Sequence, residues 1–182
     1  MKQSEFYDAQ QGAVNEARGL EFLIPAMQHV DAQLHIYGDG NYFAQTQQLI
    51  NQNNLTNKVF LKGKVLPTEL EQVTLEATIG INLVENKGLN QYYSLANKFF
   101  DYICVGLPVL NNYPGWISEL ITQYNCGITV SPDNPVAFAD SLIKLEQEKY
   151  KLPEMSVNAR NLAENEFDRI LLSDKWVDWV TS

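Results

Sequence analysis

The sequence predicts an α/β domain of the Rossmann-like kind, a parallel sheet of about six strands with helices on both faces. Two observations carry this. Short aliphatic or β-branched runs alternate with amphipathic helical segments along the chain, and each run leads into small or polar residues suited to a βα turn. At 182 residues and 45% hydrophobic composition, a single domain can bury its own core without a disulfide or metal staple.

In chain order, the first strand is expected at Gln11–Val14, followed by the turn Asn15-Glu16-Ala17-Arg18-Gly19, which sets a guanidinium immediately before a helix at Gly19–Gln28. The second strand, Gln33–Tyr37, runs into Gly38-Asp39-Gly40, where glycines permit a tight turn or a close ligand approach, and then into a helix at Phe43–Asn53. Val59–Leu61 ends near Gly63-Lys64-Val65 and is followed by a helix at Thr68–Leu75. Ile79–Leu83 leads through Glu85-Asn86-Lys87-Gly88 to Ser94. The remaining elements are a helix at Leu95–Val105, a strand at Pro108–Leu110, a helix at Ile117–Tyr124, a strand at Gly127–Val130 and a helix at Pro135–Glu148. The stretch from Pro153 to Trp179 reads as two helices with no strand after them, carrying the large apolar groups Phe167, Trp176 and Trp179.

The most informative segment is Tyr93–Val109. Ser94 is a good N-cap, and from it Asn97, Lys98 and Asp101 recur at helical spacing to form one polar ridge. Leu95, Phe99 and Ile103 form the opposite, buried ridge. Free backbone N–H groups at such a helix start, with an ammonium beside them, suit an anion such as phosphate. Ligands of doubly wound sheets collect at the carboxyl ends of the strands, so Arg18, Gly38 and Gly40, Lys64, and Ser94–Lys98 are expected to line one crevice. For Gly38 and Gly40 the plainer reading is as turn residues, which βα junctions need in any case.

Several classes are excluded. A net charge of −9 lacks the surplus of Lys and Arg that holds nucleic acid. No apolar run is long enough for a membrane span. Gly38-x-Gly40 lacks the third glycine of a dinucleotide fingerprint, since Phe43 stands there, and Gly63-Lys64 lacks the rest of a Walker loop. His29 and His35 are the only histidines and Cys104 and Cys126 the only cysteines, far apart in sequence, so a zinc site is not expected. Both thiols are expected to be reduced and buried, in a cytoplasmic protein without a signal peptide.

The ordered series Gln11-Gly12-Ala13-Val14-Asn15-Glu16-Ala17-Arg18-Gly19-Leu20, Ile36–Gly40, Phe60–Gly63, Ser94–Tyr102 and Gly106-Leu107-Pro108-Val109 resembles the C-terminal lobe of retaining GT-B glycosyltransferases, group 1 or family four, over nearly the whole chain. The resemblance implies a single nucleotide-sugar-binding lobe over residues 1–182, closed by C-terminal helices at 153–180, with the N-terminal acceptor lobe absent. It implies a UDP- or GDP-type sugar donor, no cofactor or metal, and a glycan or lipid acceptor held by the other lobe.

By position, the resemblance assigns Arg18, Lys98 and Asp101 to the reacting centre: Arg18 to the diphosphate with Lys98 close by, Asp101 to the ribose hydroxyls. Gly12, Asn15, Gly38, Gly40, Ser94, Leu95, Ala96 and Asn97 fall among the donor-binding turns, and the backbone of Lys64 and Val65 at the base. Two positions depart from the family pattern: Ala13 stands where a second phosphate cation is usual, and Tyr93 where a sugar-binding Glu is usual, with Glu85 nearby as a substitute. The implied activity is sugar transfer by the full-length enzyme, in the cytoplasm or peripheral to the inner face of the membrane. The chain alone is expected to bind nucleotide without transferring sugar. A non-catalytic lobe docking on a partner and a fragment of a nucleotide-sugar epimerase are the other readings. Trp176 and Trp179 would either meet the other lobe or close this domain's own core.

Overall fold

The computed structural model describes residues 7–16, 18–85, 89–93, 95–131 and 135–182. They form one six-stranded sheet, β1 (Tyr7–Gln11), β2 (Gln33–Tyr37), β3 (Val59–Gly63), β4 (Ile79–Asn82), β5 (Val109–Asn111) and β6 (Gly127–Thr129), in the order β3-β2-β1-β4-β5-β6. Every adjacent pair is parallel. In this order the chain reverses its direction of winding between β1 and β4, which makes that junction the topological switch point.

The helices are α1 (Leu20–Ala26), α2 (Phe43–Gln52), α3 (Pro67–Glu76), α4 (Leu89–Tyr93), α5 (Asn97–Cys104), α6 (Trp116–Tyr124), α7 (Pro135–Gln147), α8 (Leu152–Glu166) and α9 (Arg169–Thr181). They cover both faces. One core joins Leu34, Ile36, Ile79, Ile81 and Leu110 of the sheet to Leu20, Leu23 and Ile24 of α1 and Phe138 and Leu142 of α7. The other joins Val109 to Phe99, Tyr102 and Ile103 of α5, Ile117 and Ile121 of α6, and Ala159 and Leu162 of α8. Successive strand residues serve opposite faces, as Val109 and Leu110 do, so β5 joins both layers.

The first strand corrects the sequence expectation. β1 ends at Gln11 rather than beginning there, because Gly12 turns the backbone to φ 110° and Val14 lies in the loop beyond. Val14 is nevertheless buried, its N–H bonded to Asp39 O at 3.0 Å. The helix expected at Leu95–Val105 is also shorter. α5 begins at Asn97, with Ala96 in extended conformation as its N-cap and no side chain capping it. Ser94, the expected cap, lies outside the described residues, as do Ala17 and residues 86–88.

Local chemistry explains other boundaries. Pro67 opens α3 while the Glu69 carboxylate accepts the Leu66 N–H at 3.0 Å. Asp168 caps α9 by accepting from Ile170 N and Leu171 N, both at 2.9 Å. α9 buries none of its residues; Trp176 and Trp179 are 63% and 75% exposed, so they do not close this domain's core. Phe167, at the joint before α9, packs edge-on against Phe100. Cys126 is buried as expected, but Cys104, on the outward side of the last turn of α5, is exposed; both are free thiols. Among the described residues no helix is long and apolar enough to cross a membrane.

Candidate functional site

The carboxyl ends of β1, β2 and β3 are stitched into one platform by backbone hydrogen bonds. Gly12 N donates to Tyr37 O at 3.0 Å, Tyr42 N to Val14 O at 3.0 Å, and Gly38 N to Gly63 O at 2.8 Å. Asn15 adds a side-chain link, its Oδ1 accepting from Asn41 N at 3.1 Å. Gly38 and Gly40 serve this platform, since a side chain at either would strike the backbone of Gly12 or Val14. Lys64 and Val65 follow β3 at the same end of the sheet, Lys64 exposed and Val65 half-buried.

Across the switch point, the β1–α1 loop meets β4 and α5. Gly19, the residue after Arg18, packs against Leu83, to whose Cβ a Cβ at Gly19 would stand 3.3 Å. The Leu83 carbonyl in turn accepts from Lys98 Nζ at 3.4 Å. Arg18 and Lys98 are thereby brought to the same junction from two elements eighty positions apart in the chain. Burial, and then the Arg18 guanidinium, push the Lys98 ammonium down to about 7. Among the described residues neither cation has a carboxylate partner. Two mutually repelling cations beside the open first turn of α5 make a locally electropositive junction suited to an anion.

Asp101 lies one turn along α5 from Lys98 and is exposed, with partial desolvation raising its carboxyl pKa. Asn97 is exposed and Leu95 and Ala96 are half-buried, so the polar ridge read from the sequence exists without its expected cap. Tyr93, at the end of α4, is 74% exposed and packs edge-on against Tyr92. The histidines lie away from the crevice: His29 follows α1, and His35 sits within β2 beside Gln33, Tyr37 and Phe60.

Sequence reasoning missed a buried polar layer beneath the crevice. Asn82, the last residue of β4, donates to Asn111 Oδ1 at 3.2 Å and to the Tyr113 hydroxyl at 3.0 Å. The Asn112 amide pairs with both the N–H and the carbonyl of Val84, at 3.0 and 2.9 Å, extending the β4–β5 ladder by side chain. Tyr102, fully buried on α5, donates its hydroxyl toward Ala9 O and Ile81 O and accepts from Gln11 N. The available signal was polar residues at the ends of apolar strands, Ile-Gly-Ile-Asn and Val-Leu-Asn-Asn.

A parallel sheet in this order, with Arg18 and Lys98 brought together at its switch point, defines a Rossmann-like domain. The chain belongs to the family glycosyl transferases group 1, whose profile matches residues 11–148. Among solved structures, HepE from Anabaena, in complex with UDP, is similar with a TM-score of 0.86 and 16% identity, over 98% of this chain and 49% of that one. A TarM variant from S. aureus, in a complex that includes UDP, aligns with a TM-score of 0.82 and 19% identity over 99% of this chain and 36% of that one. The C-terminal domain of the group 1 glycosyl transferase LpcC from Francisella tularensis aligns with a TM-score of 0.72 and 14% identity, over 91% of this chain and 88% of that one. At these identities the likeness is one of fold, and this chain spans less than half the length of the first two proteins. No curated protein matches the sequence.

Proposed function

We propose that the chain is the donor half of a retaining glycosyltransferase, holding a nucleoside-diphosphate sugar in the crevice between β1 and β4. The observation that carries the reading is the approach of Arg18 and Lys98 across the switch point, with no carboxylate partner for either among the described residues. Membership of the group 1 family and the likeness to HepE and TarM, both solved with UDP, support a nucleotide of UDP or GDP type.

In this reading Arg18, Lys98 and the free N–H groups at Asn97 and Lys98 take the diphosphate, and no metal or other cofactor is needed to neutralise it. Asp101 accepts from the adjacent ribose hydroxyls. The backbone of Lys64 and Val65 borders the base. As the acceptor hydroxyl attacks, charge builds on the departing diphosphate, and the same cations stabilise it. Acceptor binding belongs to a second lobe, in keeping with the larger size of HepE and TarM. The exposed apolar residues of α9 supply a surface for that lobe, and the chain by itself binds donor without transferring sugar. The acceptor class is a glycan or a lipid-linked glycan, and the full-length enzyme works in the cytoplasm, free or against the inner face of the membrane.

Isothermal titration of the 182-residue chain with UDP, GDP and ADP tests the reading. One of them is expected to bind, and Arg18→Ala to weaken it by about 1.5–3 kcal/mol, the worth of a hydrogen bond to a charged group. Failure of all three at millimolar concentration would refute it.

A further inference from the structure

We infer that the Tyr102 hydroxyl is a positioning group for the crevice, setting how far the Arg18 loop stands from Lys98 and Asp101. β1 and β4 are in register only at Asp8–Ile79 and Ala9–Gly80. Past that point the Tyr102 oxygen lies between them, donating toward Ala9 O at 3.2 Å and Ile81 O at 3.3 Å and accepting from Gln11 N at 3.2 Å. One hydroxyl thus replaces ladder bonds where the two strands part.

The ring reaches that position because residue 80 is glycine, whose Cβ would come within 2.5 Å of the ring carbons. The tie acts on both walls at once. Gln11 is the residue from which the Arg18 loop departs, while Tyr102 follows Asp101 directly and lies one turn from Lys98. Core packing needs the ring, while the oxygen holds the two strand ends together, so its loss costs stability and also loosens the setting of the two walls. The inference rests on the nucleotide reading above for its functional meaning, but its geometric content can be tested without ligand.

The test is Tyr102→Phe in the whole chain. Carbon-13 NMR of labelled lysine follows the Lys98 ammonium, which in the wild type sits at about 7 through burial and the facing guanidinium. In Tyr102→Phe it is expected to rise by about one unit or more as the walls separate and water enters. Gly80→Ala, which displaces the ring but keeps the oxygen, is expected to move it in the same direction. Leu142→Ala, a cavity in the core on the other face, is expected to lower stability and leave the Lys98 titration unchanged. With ligand, Tyr102→Phe should weaken UDP about tenfold while uridine, which lacks the diphosphate, stays within about twofold. A Lys98 titration unmoved in Tyr102→Phe, or moved as much in Leu142→Ala, would overturn the inference. If the wild-type chain binds none of UDP, GDP and ADP, the nucleotide reading fails, and the ligand-free titration still decides the role of Tyr102.

Discussion

Lys98 makes nucleotide binding a proton-uptake reaction. In the free chain its ammonium titrates at about 7, lowered first by burial and then by Arg18. A diphosphate beside the two cations sets opposite charge against both the burial and the repulsion, and so raises the ammonium toward the ordinary lysine range. The sign follows directly: the bound state holds the proton more tightly than the free state, so affinity is full below about pH 7 and falls as pH rises above it. At pH 8 the free chain is about nine-tenths neutral at Lys98, so binding takes up about 0.9 proton. From pH 7 to 9 the affinity falls about 50-fold, or about 2.3 kcal/mol at 1.36 kcal/mol per decade. Phosphate ionisation near pH 6 contributes little in that window. Calorimetry at pH 8 in two buffers of different ionisation enthalpy measures the uptake, with Lys98→Met expected to abolish it. Binding heats that do not depend on the buffer, with affinity intact, would refute the reasoning.

Two further perturbations probe the frame around the site. Gly80→Ala drives a methyl group into the buried Tyr102 ring, and urea denaturation should show a loss of about 1–3 kcal/mol. Deleting residues 169–182 removes a helix with no buried residue, so the melting temperature of the remaining lobe should change little while its exposed apolar area, and its tendency to associate by light scattering, should fall.

Much of the fold was legible because five of the six strands carry apolar runs bounded by turn residues, and their observed limits lie within two residues of expectation. β1 was not, since Asp8, Gln10 and Gln11 break its apolar pattern; its place is fixed by pairing with β2 and β4 on both sides. α4, at five residues, is too short to show a helical period. Arg18 was legible as a cation at a turn and Lys98 as one at a helix start, and their mutual approach depends on Gly19 meeting Leu83, a contact no local pattern records. The same holds for Tyr102, whose three hydroxyl partners lie 21 to 93 positions away. Polar groups buried by distant partners leave only isolated misfits in the sequence, such as Asn82 at the end of an apolar strand.

At the β1–β4 switch point, the junction of Arg18 and Lys98 is proposed as a nucleoside-diphosphate site. Amide NMR of the labelled chain during titration with UDP and GDP tests it most directly. Saturable shifts are expected for one of them, concentrated at 12–18, 64–65 and 97–101. Shifts confined to the opposite, amino-terminal end of the sheet, or none with either nucleotide, would contradict it.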